Sequence, residues 1–294
     1  VTLSPPITVK RGDFLAIALF GPGQCGLIGY YGSQNHLVQM AGDYTAGSPS
    51  YFVDVPGSTM NFRASSASPA LVGTLPGAGV TGGASGSSFN TSFSITNPSN
   101  DLVTLTFTYR SGGGAPVTAT LDVPGNSTKS PKLTDLMSIN GVGSIDVYST
   151  GATPIVNARI YNDTGSGTNG FTEPLVAPAA AAHEFDRMWL NIPSDLSAYR
   201  MNIGVRTFAS GAIFGCAVLS ANGTTVTGVN KTYGPNATSL EPLQSFFNND
   251  PNALAAGGSI RCNFSFSNRS DVILYGTVTD NHTNDSAMFL AERH

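Results

Sequence analysis

Hydrophobic and hydroxyl side chains alternate along residues 103–109, and a related strand-rich pattern returns roughly 110 residues later. Successive side chains of a β-strand point to opposite faces, so one set of this run is predicted to face a core: Val103, Leu105, Phe107 and Tyr109. The alternate set is predicted to face water: Thr104, Thr106, Thr108 and Arg110. The pattern therefore predicts an all-β protein.

Changes in composition divide the chain into four parts. Residues 1–70 contain short strand-like runs separated by Gly, Pro and Asp, and this length is small for a closed sandwich. We predict a smaller N-terminal β region, an incomplete sandwich that strand exchange would complete. Residues 71–87 are rich in Gly and Ser and are predicted to be a flexible linker. Residues 88–178 and 184–294 are each predicted to form a β-sandwich.

These last two segments match each other in order along the chain. The matching stretches are 94–97 with 204–207, 124–128 with 234–238, 133–136 with 243–246, 143–145 with 258–260, and 162–164 with 281–283. Residues 133–136 and 243–246 are predicted to be single helical turns that cross between sheets. Each copy has about seven short strands at regular spacing, a pattern typical of tandem immunoglobulin-like (Ig-like) sandwiches.

Composition narrows the classes of function. Hydrophobic residues make up 40% of the chain, but charged residues only 11%, less than half the usual fraction. No run of about 20 apolar residues exists, so no membrane span is predicted. The net charge is −4 and no basic stripe is visible, which argues against a nucleic-acid partner. A surface of Ser, Thr, Asn and Gly is typical of secreted and cell-surface proteins, and the first residue, Val1, predicts either a mature chain after signal-peptide removal or a fragment of a longer precursor.

The chain contains three cysteines. Cys216 and Cys262 each lie in an alternating apolar run and are predicted to point into the same domain core. They form either a disulfide, in an oxidising compartment, or two buried thiols that pack as small hydrophobic groups. Cys25 has no partner in its own region and is either free or paired outside it.

Four short segments resemble a family of secreted bacterial proteins that carry tandem β-sandwich domains and mostly lack an assigned function. The segments are 89–93 with 97–98, 170–174, 199–207 and 279–285, and the resemblance covers roughly residues 88–294. It implies an exported, all-β surface or matrix protein. It implies no catalytic residues, because the family has no catalytic residues that could be matched to positions in this sequence.

No arrangement of His, Cys, Ser and carboxylates matches a metal-binding or catalytic motif, so we predict a protein that is not an enzyme and has no cofactor. Asp280, His282 and Asp285 form one polar cluster with oxygen ligands of the type that bind Ca²⁺. The same residue types are those of a β-turn, which is the favoured interpretation. Trp189 lies between Met188 and Leu190 and is predicted to be a core residue, although exposed aromatics are what a sugar-binding sandwich requires.

Asn-x-Ser/Thr sequons are more frequent than expected by chance. Chance predicts about four or five in a chain of this composition. Ten are present: Asn90, Asn126, Asn162, Asn222, Asn230, Asn236, Asn263, Asn268, Asn281 and Asn284. They indicate either a glycan coat on an exported protein or a surface whose Ser, Thr and Asn content generates sequons by itself.

Together these features predict a non-enzymatic, extracellular structural protein that self-associates into a surface layer, fibre or filament through β-sandwich contacts or strand donation. The predicted donor is the segment 1–9, which Pro5 and Pro6 would keep extended. The alternative is a carbohydrate-binding or adhesion module of a secreted protein.

Overall fold

The computed structural model describes residues 27–31, 34–40, 52–54, 69–83, 86–264 and 271–294. These residues are all-β, with several antiparallel sheets and only short helical turns, which confirms the predicted fold class in its coarser form. The chain divides into two compact units, residues 1–68 and 69–294.

The first unit contains a three-stranded antiparallel sheet. Its strands are β1 (Leu27–Tyr31), β2 (Gln34–Met40) and β3 (Phe52–Asp54), in that spatial order. The pairing places Leu27 opposite Val38, and Val38 opposite Asp54. The predicted donor segment 1–9 and Cys25 lie outside the described residues.

The second unit begins with eight strands and one helical turn, which we call the first sandwich. Its elements are β4 (Ala70–Gly82), β5 (Ser88–Asn97), β6 (Val103–Ser111), β7 (Val117–Val123), β8 (Ser127–Lys129), α1 (Leu133–Leu136), β9 (Gly141–Ser149), β10 (Ile155–Asp163) and β11 (Thr168–Pro174). One sheet has the order β4-β9-β6-β7 and the other β8-β5-β10-β11. Thr81 and Gly82 of β4 also pair with β5, which joins the two sheets at one corner.

The rest of the unit forms the second sandwich. Its elements are β12 (Arg187–Asn191), β13 (Tyr199–Thr207), β14 (Ala212–Leu219), β15 (Thr225–Tyr233), β16 (Thr238–Pro242), α2 (Leu243–Phe246), β17 (Ser259–Phe264), β18 (Val272–Asp280), β19 (Ser286–Leu290) and β20 (Glu292–Arg293). One sheet has the order β15-β14-β17-β12-β20 and the other β16-β13-β18-β19.

The two sandwiches have the same connectivity. Taken in chain order, β4 to β11 correspond to β12 to β19, and both strand orders are reproduced when this correspondence is applied. The predicted helical turns are confirmed at the equivalent positions α1 and α2. Asn126 and Asn236, at matching turns before β8 and β16, both adopt a left-handed backbone, with φ of 54° and 53°. Matching turn geometry as well as strand order therefore supports an internal duplication.

Each sandwich has its own hydrophobic core. The core-facing half of the alternation predicted for β6 is confirmed, because Val103, Leu105, Phe107 and Tyr109 are all buried in the first core. The other half is wrong at Thr108, which was predicted to face water and is buried. In the second core, alternate residues of β14 and β17 pack together, among them Phe214 and Phe264, whose ring centroids are 5.0 Å apart. Burial of these apolar faces is the main source of stability in both sandwiches.

The prediction of a flexible linker at 71–87 is wrong for most of that stretch, because residues 70–82 form β4. Its glycines allow close approach of other backbone. A Cβ on Gly73 would lie 2.9 Å from the Val176 carbonyl oxygen, and one on Gly79 would lie 2.4 Å from that of Gly141. Leu75 of the same strand is fully buried. Small residues that resemble a linker in composition are here required by packing.

Candidate functional site

The most unusual chemistry in the described residues lies at the junction where the two sandwiches meet. The outer face of the β4-β9-β6 sheet packs against the outer face of the β16-β13-β18 sheet. Residues 143–147 of β9 and 203–207 of β13 are therefore buried without interruption, instead of alternating. Both faces of these strands are covered, so their outward polar side chains depend on partners inside the protein. Asp146 has such partners, whereas Ser144 Oγ and Arg206 Nε and Nη1 have none among the described residues.

Asp146 of β9 is the centre of this junction, and its side chain is only 2% exposed. One carboxylate oxygen accepts a hydrogen bond from the Thr74 hydroxyl at 2.8 Å. The other accepts from Arg110 Nε at 2.8 Å and from Arg206 Nη2 at 2.6 Å. Since Arg206 belongs to the second sandwich, this carboxylate ties the two sandwiches together through charge-assisted hydrogen bonds.

Arg206 is fully buried, so the protein has removed its guanidinium from water completely. Desolvation lowers the pKa of Arg206, while the neighbouring Asp146 carboxylate raises it and so opposes the shift. The guanidinium also lies over the Phe208 ring, with its Cζ 4.9 Å from the ring centroid. A buried charge of this kind is tolerated only when its counter-ion is held in place, which makes the geometry of the junction specific.

A buried tyrosine forms the second anchor of the junction. The Tyr275 hydroxyl of β18 donates a hydrogen bond to the Pro76 carbonyl of β4 at 3.0 Å. Its ring lies directly over Gly204, where a Cβ would approach ring carbons to 1.9 Å. Burial raises the pKa of Tyr275, so the group remains a neutral hydrogen-bond donor. Glycine is therefore required at position 204 by the tyrosine that crosses it.

Glu173 of β11 is the third buried polar group here. One carboxyl oxygen accepts a hydrogen bond from the Gly77 amide at 3.3 Å, while the other has no partner among the described residues. Desolvation raises the pKa of Glu173 well above its usual value, and the Gly77 amide opposes that shift. The carboxyl group is therefore held in the neutral, protonated form over a wider pH range than in the unfolded chain.

This shift predicts that Glu173 makes stability fall as pH rises. The native state keeps the proton above the unfolded-state pKa of about 4.3, so stability is full below that pH and decreases until the folded-state pKa is reached. We expect Glu173→Gln to remove this decrease. The check is urea unfolding of both proteins from pH 4 to pH 8, with Asp163→Asn, at the exposed end of β10, as the control. A stability difference between wild type and Glu173→Gln that does not change with pH would contradict the assignment.

The junction is a buried contact between the outer faces of two sheets. Two guanidinium groups, those of Arg110 and Arg206, face the single Asp146 carboxylate, and the side chains of Asp146 and Arg206 are almost completely buried between the sheets. Among the described residues there is no group of three or more side chains able to hold a metal ion. This arrangement of hydrogen bonds and ion pairs fixes the orientation of one sandwich relative to the other.

Of the residues singled out from the sequence, Cys216 and Cys262 are brought together. They lie directly opposite each other on β14 and β17, with Cα atoms 4.0 Å apart, and are joined by a disulfide. Both are buried in the second core. The equivalent positions of the first sandwich hold the pair Phe107 and Val147, so the cross-link is specific to the second sandwich.

The sequon asparagines lie in different environments. Five are exposed: Asn126, Asn222, Asn230, Asn236 and Asn263. Asn90 and Asn281 are half-buried, and Asn268 lies outside the described residues. Asn162 is 3% exposed and accepts from the Ser88 amide, and Asn284 is 9% exposed and accepts from Arg200. A glycan on either of these two would disrupt folded structure, so their sequons are explained by local hydrogen bonding.

The polar cluster near the C-terminal end of the chain forms a turn. The Asp280 carboxylate accepts hydrogen bonds from the backbone amides of His282 and Thr283, at 2.7 and 2.8 Å. These bonds lower the pKa of Asp280. The backbone amide of Asp285 donates a hydrogen bond to the Thr283 hydroxyl at 3.2 Å. The geometry matches the side-chain-to-backbone bonding of an Asp turn, the interpretation that the sequence favoured.

The prediction that Trp189 is a core residue is wrong. Met188 and Leu190 are buried in the second core, and strand alternation places Trp189 between them on the outer face, where it is half-buried. There it lies beside Arg261, whose Cζ is 5.9 Å from the ring centroid, and edge-on to His294 at 6.5 Å. The apolar neighbours Met188 and Leu190, on which the prediction rested, face the opposite side of the strand from Trp189.

Comparison with protein-family models, curated proteins and solved structures found no match to this chain. In the described part of the chain, no helix is long and apolar enough to cross a membrane.

Proposed function

We propose that this protein is a non-enzymatic extracellular structural protein whose copies associate through the edges of tandem Ig-like sandwiches. One observation carries this proposal. The strands β7 and β15, at equivalent places in the two sandwiches, each form the end of a sheet and are hydrogen-bonded on one side only in the described structure. Unpaired backbone donors and acceptors along such a strand are a template for pairing with another chain.

Both edge strands have few of the features that usually prevent such pairing, and β15 has one more than β7, because its pairing with β14 is irregular at Val226. β7 reads VTATLDV and β15 reads TVTGVNKTY, with one charge each and no proline. Val117 and Val226 at their ends are 38% and 39% exposed. Soluble monomers commonly protect long edges with charges, prolines or bulges, so edges of seven and nine residues with so little protection favour association.

Other features support an extracellular setting. The low charge, the hydroxyl-rich surface and the disulfide between Cys216 and Cys262 are all typical of exported proteins. The locked junction supports a structural role, because a subunit that transmits load or fixes a lattice needs its domains in one orientation. The same features agree with the resemblance to secreted bacterial tandem-sandwich proteins.

The test is sedimentation velocity of the full chain over a wide concentration range. Wild type is expected to form species larger than a monomer as concentration rises. The double variant Val117→Lys, Val226→Lys is expected to remain monomeric, because lysines on both edges oppose strand pairing. The matched control is Leu102→Lys, which replaces an exposed apolar residue outside the edge strands. A wild-type protein that stays monomeric throughout would refute the proposal.

A carbohydrate-binding or adhesion role is the second candidate, and the position of Trp189 favours it. An aromatic side chain on the outer face of a sheet is what a sugar-binding sandwich needs, and this one is flanked by polar side chains.

A further inference from the structure

The face around Trp189 is the counterpart of the face that forms the junction in the first sandwich. In the first sandwich Thr74 of β4 pairs with Asp146 of β9. In the second sandwich the equivalent strands pair Trp189 with Arg261. The first pair is buried beneath the second sandwich, whereas in the described structure the second pair is half-buried and borders exposed side chains. The face of the second sandwich is therefore accessible where its counterpart in the first is covered. It carries a tryptophan and an arginine in place of a threonine and an aspartate.

A groove of about 750 Å³ runs beside Trp189, where β12 of one sheet faces β19 of the other. Its apolar side includes the core residues Leu190 and Ile192 and the partly buried Phe289, which packs against the core. This volume is within the range of small-ligand sites. The groove therefore combines a surface for apolar contact with an opening to solvent.

Polar side chains line the rim of the same groove. Asn191, Glu292 and His294 border it together with Arg187. The Glu292 carboxylate lies 3.9 Å from His294 Nε2, and Arg187 Nε donates to the Asn263 side chain at 3.2 Å. Amide, carboxylate, imidazole and guanidinium groups supply both donors and acceptors. One acidic and one permanently basic side chain leave the rim without a strong net charge.

We propose that this groove binds a neutral saccharide, with one sugar ring against Trp189 and its hydroxyls on the polar rim. A sugar ring has an apolar face of C–H groups and an edge of hydroxyls, which are the two chemistries that the groove places side by side. An extended peptide fits less well, because β20 already pairs with the edge of β12 at Met188 and Trp189. A fatty chain would leave the rim groups without partners.

This inference gives the second candidate function a site and does not depend on self-association. Immobilised neutral polysaccharides (β-glucan, xylan and α-glucan) are offered to the full chain, with polygalacturonate as the acidic comparison. We expect wild type to bind at least one neutral polysaccharide. Trp189→Ala is expected to weaken that binding at least about tenfold, because the ring supplies most of the apolar contact.

Two further variants make the test specific. Tyr199→Ala removes another exposed aromatic, 39% exposed and outside the groove, and is expected to bind like wild type. Glu292→Gln keeps the shape of the rim and is expected to weaken binding without changing the melting temperature. Neutral polysaccharide binding that survives Trp189→Ala, binding of polygalacturonate alone, or no binding by folded wild type would each overturn the inference. None of these outcomes alters the sedimentation result.

Discussion

Replacing Asp146 with alanine is expected to lower the free energy of unfolding by about 3–5 kcal/mol. The substitution leaves the fully buried Arg206 guanidinium without its counter-ion, and it removes the acceptor for Thr74 and Arg110. Urea unfolding followed by circular dichroism measures the loss. Because the carboxylate joins the two sandwiches, we also expect their unfolding transitions to separate in calorimetry.

The control for this prediction is Asp122→Ala, which removes an exposed carboxylate that accepts from the Thr104 hydroxyl on the same sheet. It is expected to cost less than about 1 kcal/mol. The double replacement Asp146→Leu, Arg206→Met is expected to recover much of the stability, since apolar side chains need no counter-ion. If Asp146→Ala were no more destabilising than Asp122→Ala, the buried pair would not hold the junction.

Replacing both Cys216 and Cys262 with alanine is expected to cost about 2–4 kcal/mol. The disulfide links residues 46 positions apart, so it restricts the unfolded chain over a long loop. Both side chains are buried, and the lost sulfur atoms add a smaller packing cost. The measurement is the urea midpoint of the double variant under non-reducing conditions.

The matched control for the disulfide is Cys25→Ala, which removes the third cysteine and leaves the cross-link in place. Its effect on unfolding of the second sandwich is expected to be small. Wild type kept in reductant until the disulfide is broken is expected to approach the double variant. A double variant as stable as wild type would show that the cross-link contributes nothing to the fold.

Strand alternation was enough to predict the interior of each sandwich. Along β6 every predicted core residue is buried, and the matched turns at α1 and α2 could be located from the repeat alone. Strand alternation also accounts for Trp189. Because Met188 and Leu190 face the core, Trp189 between them faces the outer side of the sheet. These features depend on contacts between near neighbours, which a pattern along the chain records directly.

The junction could not be predicted in this way. Thr108 was expected to face water, yet it is 7% exposed because the second sandwich covers the outer face of β6. Arg110, expected to be solvated, is half-buried and bonded to Asp146. Arg206 gave no signal, because a single arginine within a strand is usually an exposed residue. Packing of one sheet on another depends on the arrangement of whole domains, which local periodicity does not contain.

The misassignment of β4 has a related cause. Gly and Ala are the residues of flexible linkers, and they are also the residues that permit a strand to pass close to other backbone. Gly73 and Gly79 serve the second purpose, and only the positions of Val176 and Gly141 reveal it.

Electron microscopy of the purified full chain at high concentration tests the structural role most directly. The account predicts regular assemblies in which neighbouring copies meet along β7 or β15, and their loss in the Val117→Lys, Val226→Lys variant. Isolated particles of single-chain size at every concentration would contradict it.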